Sequence, residues 1–169
     1  AASGKRSLKM VNAVCGSYSG FYTTFESTPL GQYPILSFDY RTDGYHRLDF
    51  MLSTTAGKQY IGFTDLEDYG RSSSSFEKAQ QVQVKPDGRW HHAEIDLRRL
   101  PPPSTKGKAP TTNALSSLYL ADFSHRSNIA GAFTHLDNLS LIPIVSSKAG
   151  VSLGWTAADL SGISGYAVK

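Results

Sequence analysis

The run WHHAEID, residues 90 to 96, gathers two histidines, a glutamate and an aspartate within one short stretch. Such a set could hold zinc or move protons. Zinc, however, needs three or four nitrogen, sulfur or carboxylate ligands converging on a point. Adjacent side chains in a regular strand point to opposite faces, so His91 and His92 cannot share an ion, and His92 with Glu94 would need a third ligand from another strand. Nucleophilic catalysis has no better support. There is no Gly-x-Ser-x-Gly elbow, and Cys15, the only cysteine, lies in a loop-like region with no evident histidine partner. Asp49 and Glu94 could act as a glycosidase pair if their strands came close, but nothing in the sequence marks either carboxyl for a raised pKa. A non-enzymatic role is expected.

A second stretch raises a different question. FTHLDNLSLIPI, residues 133 to 144, alternates like a β-strand yet carries Asp137 and Asn138 side by side in its middle, where both residue types are depleted. A carboxylate there needs a partner. It could cap a turn or accept backbone N–H groups.

The elements that must position these residues are strands. Apolar side chains recur at every second position in short runs bounded by Gly, Ser, Asp and Pro. The runs are 5–11, 18–25, 34–42, 45–54, 58–64, 80–85, 90–97, 116–124 and 132–142. Asp-Gly pairs at 43–44 and 87–88, and Gly57 in TTAGK, suggest tight hairpins joining 34–42 to 45–54, 80–85 to 90–97, and 45–54 to 58–64. Residues 65–79 and 98–114 are polar and rich in Ser, Pro, Gly or Lys and read as surface loops. A short turn at 96–100 is expected before the three prolines stop it. The predicted fold class is all-β, an antiparallel sandwich.

Composition narrows the partners. The formal net charge is +3, from 17 basic and 14 acidic residues that are scattered rather than clustered, so nucleic acid is not an expected partner. No stretch approaches the roughly 18 apolar residues of a membrane-spanning helix, so no membrane span is expected. Nine tyrosines supply side chains that stack with one end and hydrogen-bond with the other.

Alternation divides each strand into an inward and an outward set. Leu36, Phe38, Tyr40, His46, Leu48, Phe50 and Leu52 go in. Asp39, Arg41, Trp90 and Asp96 go out, together with Tyr45, Arg47, Asp49, Tyr60, His92, Glu94 and Tyr119. These last seven are expected to share one sheet face. That face is either an ordinary solvated surface or a sugar-binding groove, in which tyrosine rings stack on pyranose C–H faces and carboxylate, Arg and His groups bond hydroxyls.

The order of features resembles the jelly-roll carbohydrate-binding modules appended to bacterial glycoside hydrolases. Ser3-Gly4-Lys5-Arg6-Ser7-Leu8-Lys9 is similar to their first strand, Asp87-Gly88-Arg89-Trp90 through Ile95-Asp96-Leu97 to their Gly-x-Trp and Asp-Leu strand, and Leu136-Asp137-Asn138-Leu139 to their last. The resemblance implies a jelly roll, a polysaccharide or glycan ligand, a secreted or cell-surface location, and a structural calcium held by Asp137 and backbone oxygens near Ser3 and Lys5. Some polysaccharide lyases share this scaffold and use Tyr, His and Arg, which leaves Tyr45, Arg47 and His92 open to that reading. A structural spacer or adhesion module, with neighbouring protein domains as partners, is the other alternative. The module is expected over 1–144. Residues 145–169, with Trp155 and Tyr166, resemble a linker and the opening strands of a fibronectin type III or immunoglobulin-like domain.

Overall fold

The computed structural model describes residues 6–15, 20–64, 78–100, 113–123, 129–143 and 151–152. Each of the nine expected strands forms, with shifted ends: β1 Leu8–Val11, β2 Gly20–Pro29, β3 Ile35–Thr42, β4 Asp49–Thr54, β5 Gly57–Gly62, β6 Lys78–Gln81, β7 His91–Asp96, β8 Ala114–Ala121 and β9 Phe133–Ile142. A short β10, Val151–Ser152, follows. The loops at 65–77 and 101–112, residues Ser3 and Lys5, and the proposed second domain from 153 onward lie outside the described residues.

Two sheets pack face to face as an open sandwich. The first has the order β1-β9-β3-β7, with β10 also pairing β9; the second has the order β2-β8-β4-β5-β6. All the pairings are antiparallel except β5 with β6. From β1 to β4 and again from β6 to β9, every successive strand crosses to the other sheet, the crossing pattern of a jelly roll.

The inward sets read from alternation form the core. Leu36, Phe38 and Tyr40 of β3 meet Phe50 and Leu52 of β4, and all are almost completely buried. The Phe38 ring centre lies 5.1 Å from that of Phe50 and 5.6 Å from that of Phe63. Burying a phenylalanine of this kind contributes roughly 1.5–3 kcal/mol. Interdigitated aromatics from both layers therefore hold the sheets together.

Of the three expected hairpins, only β4–β5 forms. β3 and β4 lie in different sheets, and so do β6 and β7. The Asp-Gly pairs turn the chain but do not fold it back on itself, because the residues after the first turn are taken up by the core. His46 and Leu48 are both fully buried. Leu48 N donates to Thr64 Oγ1 at 2.8 Å, and the Thr64 hydroxyl donates to His46 O. Strand pairing in β4 therefore begins only at Asp49. The two turns meet at one end of the sandwich, where Gly88 N donates to Thr42 O at 3.0 Å. The Lys85 N–H reaches Tyr40 Oη nearby, at 3.0 Å. After β7, Asp96 caps the 3-10 turn Leu97–Arg99 by accepting from Arg98 N at 3.1 Å, as the sequence suggested.

The Asp137-Asn138 pair is a β-bulge. Ser37 pairs with Ser140 and Asp39 with Asp137, so Asn138 and Leu139 together oppose Phe38. Asn138 takes φ 51°, the left-handed conformation that asparagine tolerates better than other residues with a side chain. The extra residue restores the alternation on both sides: Leu136, Leu139 and Leu141 all reach the core.

Candidate functional site

Because the strands divide between two sheets, the seven residues expected on one face fall into three groups. Tyr45, 62% exposed, and Arg47 lie in the β3–β4 crossing. Asp49, Tyr60 and Tyr119 belong to the second sheet, while His92 and Glu94 belong to the first. The single face does not form, because β7 pairs in the other sheet from β4, β5 and β8, and because Asp49 and Tyr60 are buried.

On the second sheet, register aligns Tyr22, Tyr119, Met51 and Tyr60 across four strands. The Tyr22 and Tyr119 rings stack with centres 5.0 Å apart, and Tyr22 is 54% exposed. The row closes at its other end. Met51 and Tyr60 are buried, Tyr60 meets the edge of Phe123 at 5.4 Å, and burial raises the Tyr60 phenol above its ordinary pKa. Asp49, expected to face outward, is also buried, and its carboxylate accepts the Phe63 N–H at 2.9 Å. Its job is to hold the end of β5 against β4.

The outer face of the first sheet is richer in fixed polar groups. His92 Nδ1 lies 2.8 Å from Asp39 Oδ1, and its Nε2 lies 3.4 Å from Glu94 Oε1. Asp39 also accepts the Asn138 side-chain amide through Oδ2, while the Asn138 backbone N–H goes to Asp137 Oδ1 at 2.9 Å. Asp39 and Asp137 are register partners, and two like charges so placed repel each other. The donors from His92 and Asn138 offset that repulsion. The hydrogen bond to Asp39 is the main reason that the His92 pKa is raised above the ordinary imidazole value; the contact with Glu94 adds to it.

The next row toward the crossing loops is aromatic and basic. His135 pairs with Lys9 of β1 and with Arg41 of β3. Trp90 meets the His135 ring edge-on at 5.9 Å, Phe133 meets it at 5.6 Å, and the Arg41 guanidinium carbon lies 5.6 Å from the Phe133 ring centre. Burial, then the Arg41 and Lys9 charges, lower the His135 pKa.

No family model matches this sequence, and no curated protein or solved structure matches it. Among the described residues, no three His, Cys, Asp or Glu side chains form a group that could hold a metal. Of the expected calcium ligands, only Asp137 is described. One carboxylate gives at most two of the six to eight oxygens calcium takes, and the expected backbone oxygens near Ser3 and Lys5 lie outside the described residues. What the face does offer is a set of carboxylate acceptors and amide or imidazole donors, already fixed by mutual hydrogen bonds and bordered by Trp90 and Phe133.

Sequence reasoning set Trp90 and His92 on one outward strand face and placed Asp39 and Arg41 outward on another strand, but did not join the two. It missed Asn138, His135 and Lys9 as members of the same surface. The missing signal was the pairing of β9 between β1 and β3, which links residues more than 90 positions apart and leaves no mark on local periodicity.

Proposed function

We propose that this domain is a non-catalytic carbohydrate-binding module whose ligand lies on the outer face of its first sheet. The observation that carries the reading is the His92–Asp39–Asn138 chain of hydrogen bonds, one register row from the His135 ring on which Trp90 and Phe133 pack. A sugar ring presents alternating hydroxyls and C–H faces, so its binding site needs fixed acceptors and donors beside a flat apolar surface. Preorganisation matters because side chains already held in place lose less entropy when a ligand arrives. A polysaccharide ligand implies a secreted or cell-surface setting, and that part of the proposal falls with the first.

Affinity electrophoresis of the domain through a panel of soluble polysaccharides tests the reading. Retardation by at least one polymer is expected, with most of it lost in Trp90→Ala and in His92→Ala. A domain that migrates unretarded through every polymer overturns the proposal and leaves the protein-binding spacer as the better account. Retardation that persists in both variants moves the site elsewhere, with the Tyr22–Tyr119 stack the next place to look.

A further inference from the structure

Resting on the carbohydrate reading above, we propose that the cross-strand row Lys9–His135–Arg41 receives the anionic group of an acidic saccharide, while the sugar hydroxyls lie on the adjoining Asp39–His92–Glu94 region. The face is dipolar. Its basic row crosses β1, β9 and β3 in direct register, which brings neighbouring side chains within about 5 Å at Cβ. Burial and the two flanking cations lower the His135 pKa, so the fixed charges of the row are Lys9 and Arg41, one strand to either side of a neutral imidazole; a bound carboxylate or sulfate would complement both.

The nearby acidic groups do not neutralise these two charges. Asp39 is engaged by His92 and Asn138, and Asp137 accepts from the Asn138 backbone. Asp43, at the end of β3, accepts the Tyr45 and Phe133 N–H groups. Arg41 makes no ion pair among the described residues. Its guanidinium sits against the Phe133 ring, and its Nε is buried with no hydrogen-bond partner. An arginine held by an aromatic face rather than by a carboxylate keeps its outer Nη donors for an external oxyanion. Lys9, exposed at the other end of the row, adds a second positive charge on the same side of the sheet.

Polygalacturonate and its fully methyl-esterified form share one backbone and differ only in charge, which makes them a suitable pair of probes. Isothermal titration of each against the intact protein should show roughly tenfold tighter binding of the acid form, the size of one charged hydrogen bond. Arg41→Ala and Lys9→Ala should each erase most of that preference. Arg41→Lys, which keeps the charge but loses the fork, should lie between and guards against a variant that merely fails to fold. Lys58→Ala, which removes the same charge from the other sheet, should leave the preference intact.

Equal affinity for acid and ester forms, or binding only to neutral polymers, overturns the anionic subsite and leaves the carbohydrate reading standing. No binding to any polysaccharide overturns both. Equal binding of dextran sulfate and DNA, weakened equally by Lys58→Ala, also overturns the subsite, since it indicates general attraction for polyanions.

Discussion

Asn138 donates its side-chain amide to Asp39 from the one position in β9 where the backbone turns left-handed, at φ 51°. The bulge thus does two things at once. It lets Leu136 and Leu139 both face the core, and it aims an amide at the carboxylate that also holds His92. Asn138→Gly should keep the backbone and lose the amide, so that stability changes little while any ligand affinity falls. Asn138→Val should lose both and cost about 1–2 kcal/mol, the penalty for a branched side chain in this conformation. Urea unfolding of the two variants separates the effects. Equal destabilisation would show that the amide, rather than the backbone, is what the position requires.

His46 should make the fold acid-sensitive. It is fully buried, and burial lowers its pKa from 6.5 to about 4 against a smaller upward pull from Asp43. The folded state therefore resists a proton that the unfolded chain accepts. Stability from this residue is complete above about pH 6.5 and declines as the pH falls toward 4, by about 3 kcal/mol across the window. Chemical denaturation at half-unit pH steps should show that slope, and His46→Met should flatten it. An unchanged slope in the variant would assign the acid sensitivity to other groups.

His92 should behave in the opposite sense. Its pKa is raised, first of all by Asp39, so its charged contact is fully formed below the ordinary imidazole pKa and is lost as the pH rises through the folded value. NMR titration of the ring should place His92 above 6.5, and Asp39→Asn should bring it down. A His92 ring that titrates at or below 6.5 in the parent protein would mean that the 2.8 Å contact with Asp39 is not kept in solution.

The elements of this fold are more legible in its sequence than their partners are. Alternation at Leu36-Phe38-Tyr40 and at Phe50-Leu52 marks strands and their buried faces, because a side-chain period of two is a local property. Which strand lies beside which is not local. The Asp-Gly turn at 43–44 fixes one positive φ and nothing more, and the burial of His46 and Leu48 then carries the chain to the other sheet. The candidate site inherits that limit. His92 and Glu94 come together by their spacing along β7, whereas Asp39 and Asn138 join them only through pairing across three strands. Tyr60 and Asp49 show the same limit from the other side: they alternate outward and are buried all the same.

The meeting of the two crossing turns gives a test of the architecture itself. Gly44 has φ 79°, and a Cβ added there would lie 2.5 Å from the Pro86 Cβ. Gly88 in the partner turn has φ 71° with nothing within 4 Å of such an atom. Both glycines sit in the left-handed region, so Gly88→Ala should cost about 1 kcal/mol from backbone strain alone. Gly44→Ala must bear the same strain and also push Pro86 away from a contact closer than real carbon atoms adopt. A further loss of about 1–2 kcal/mol, in the range typical of overpacking, is expected. The difference between the two variants in thermal or urea unfolding isolates the packing of one turn against the other. Equal costs would mean that the turns do not touch and that the close approach of Gly44 to Pro86 is not kept in solution.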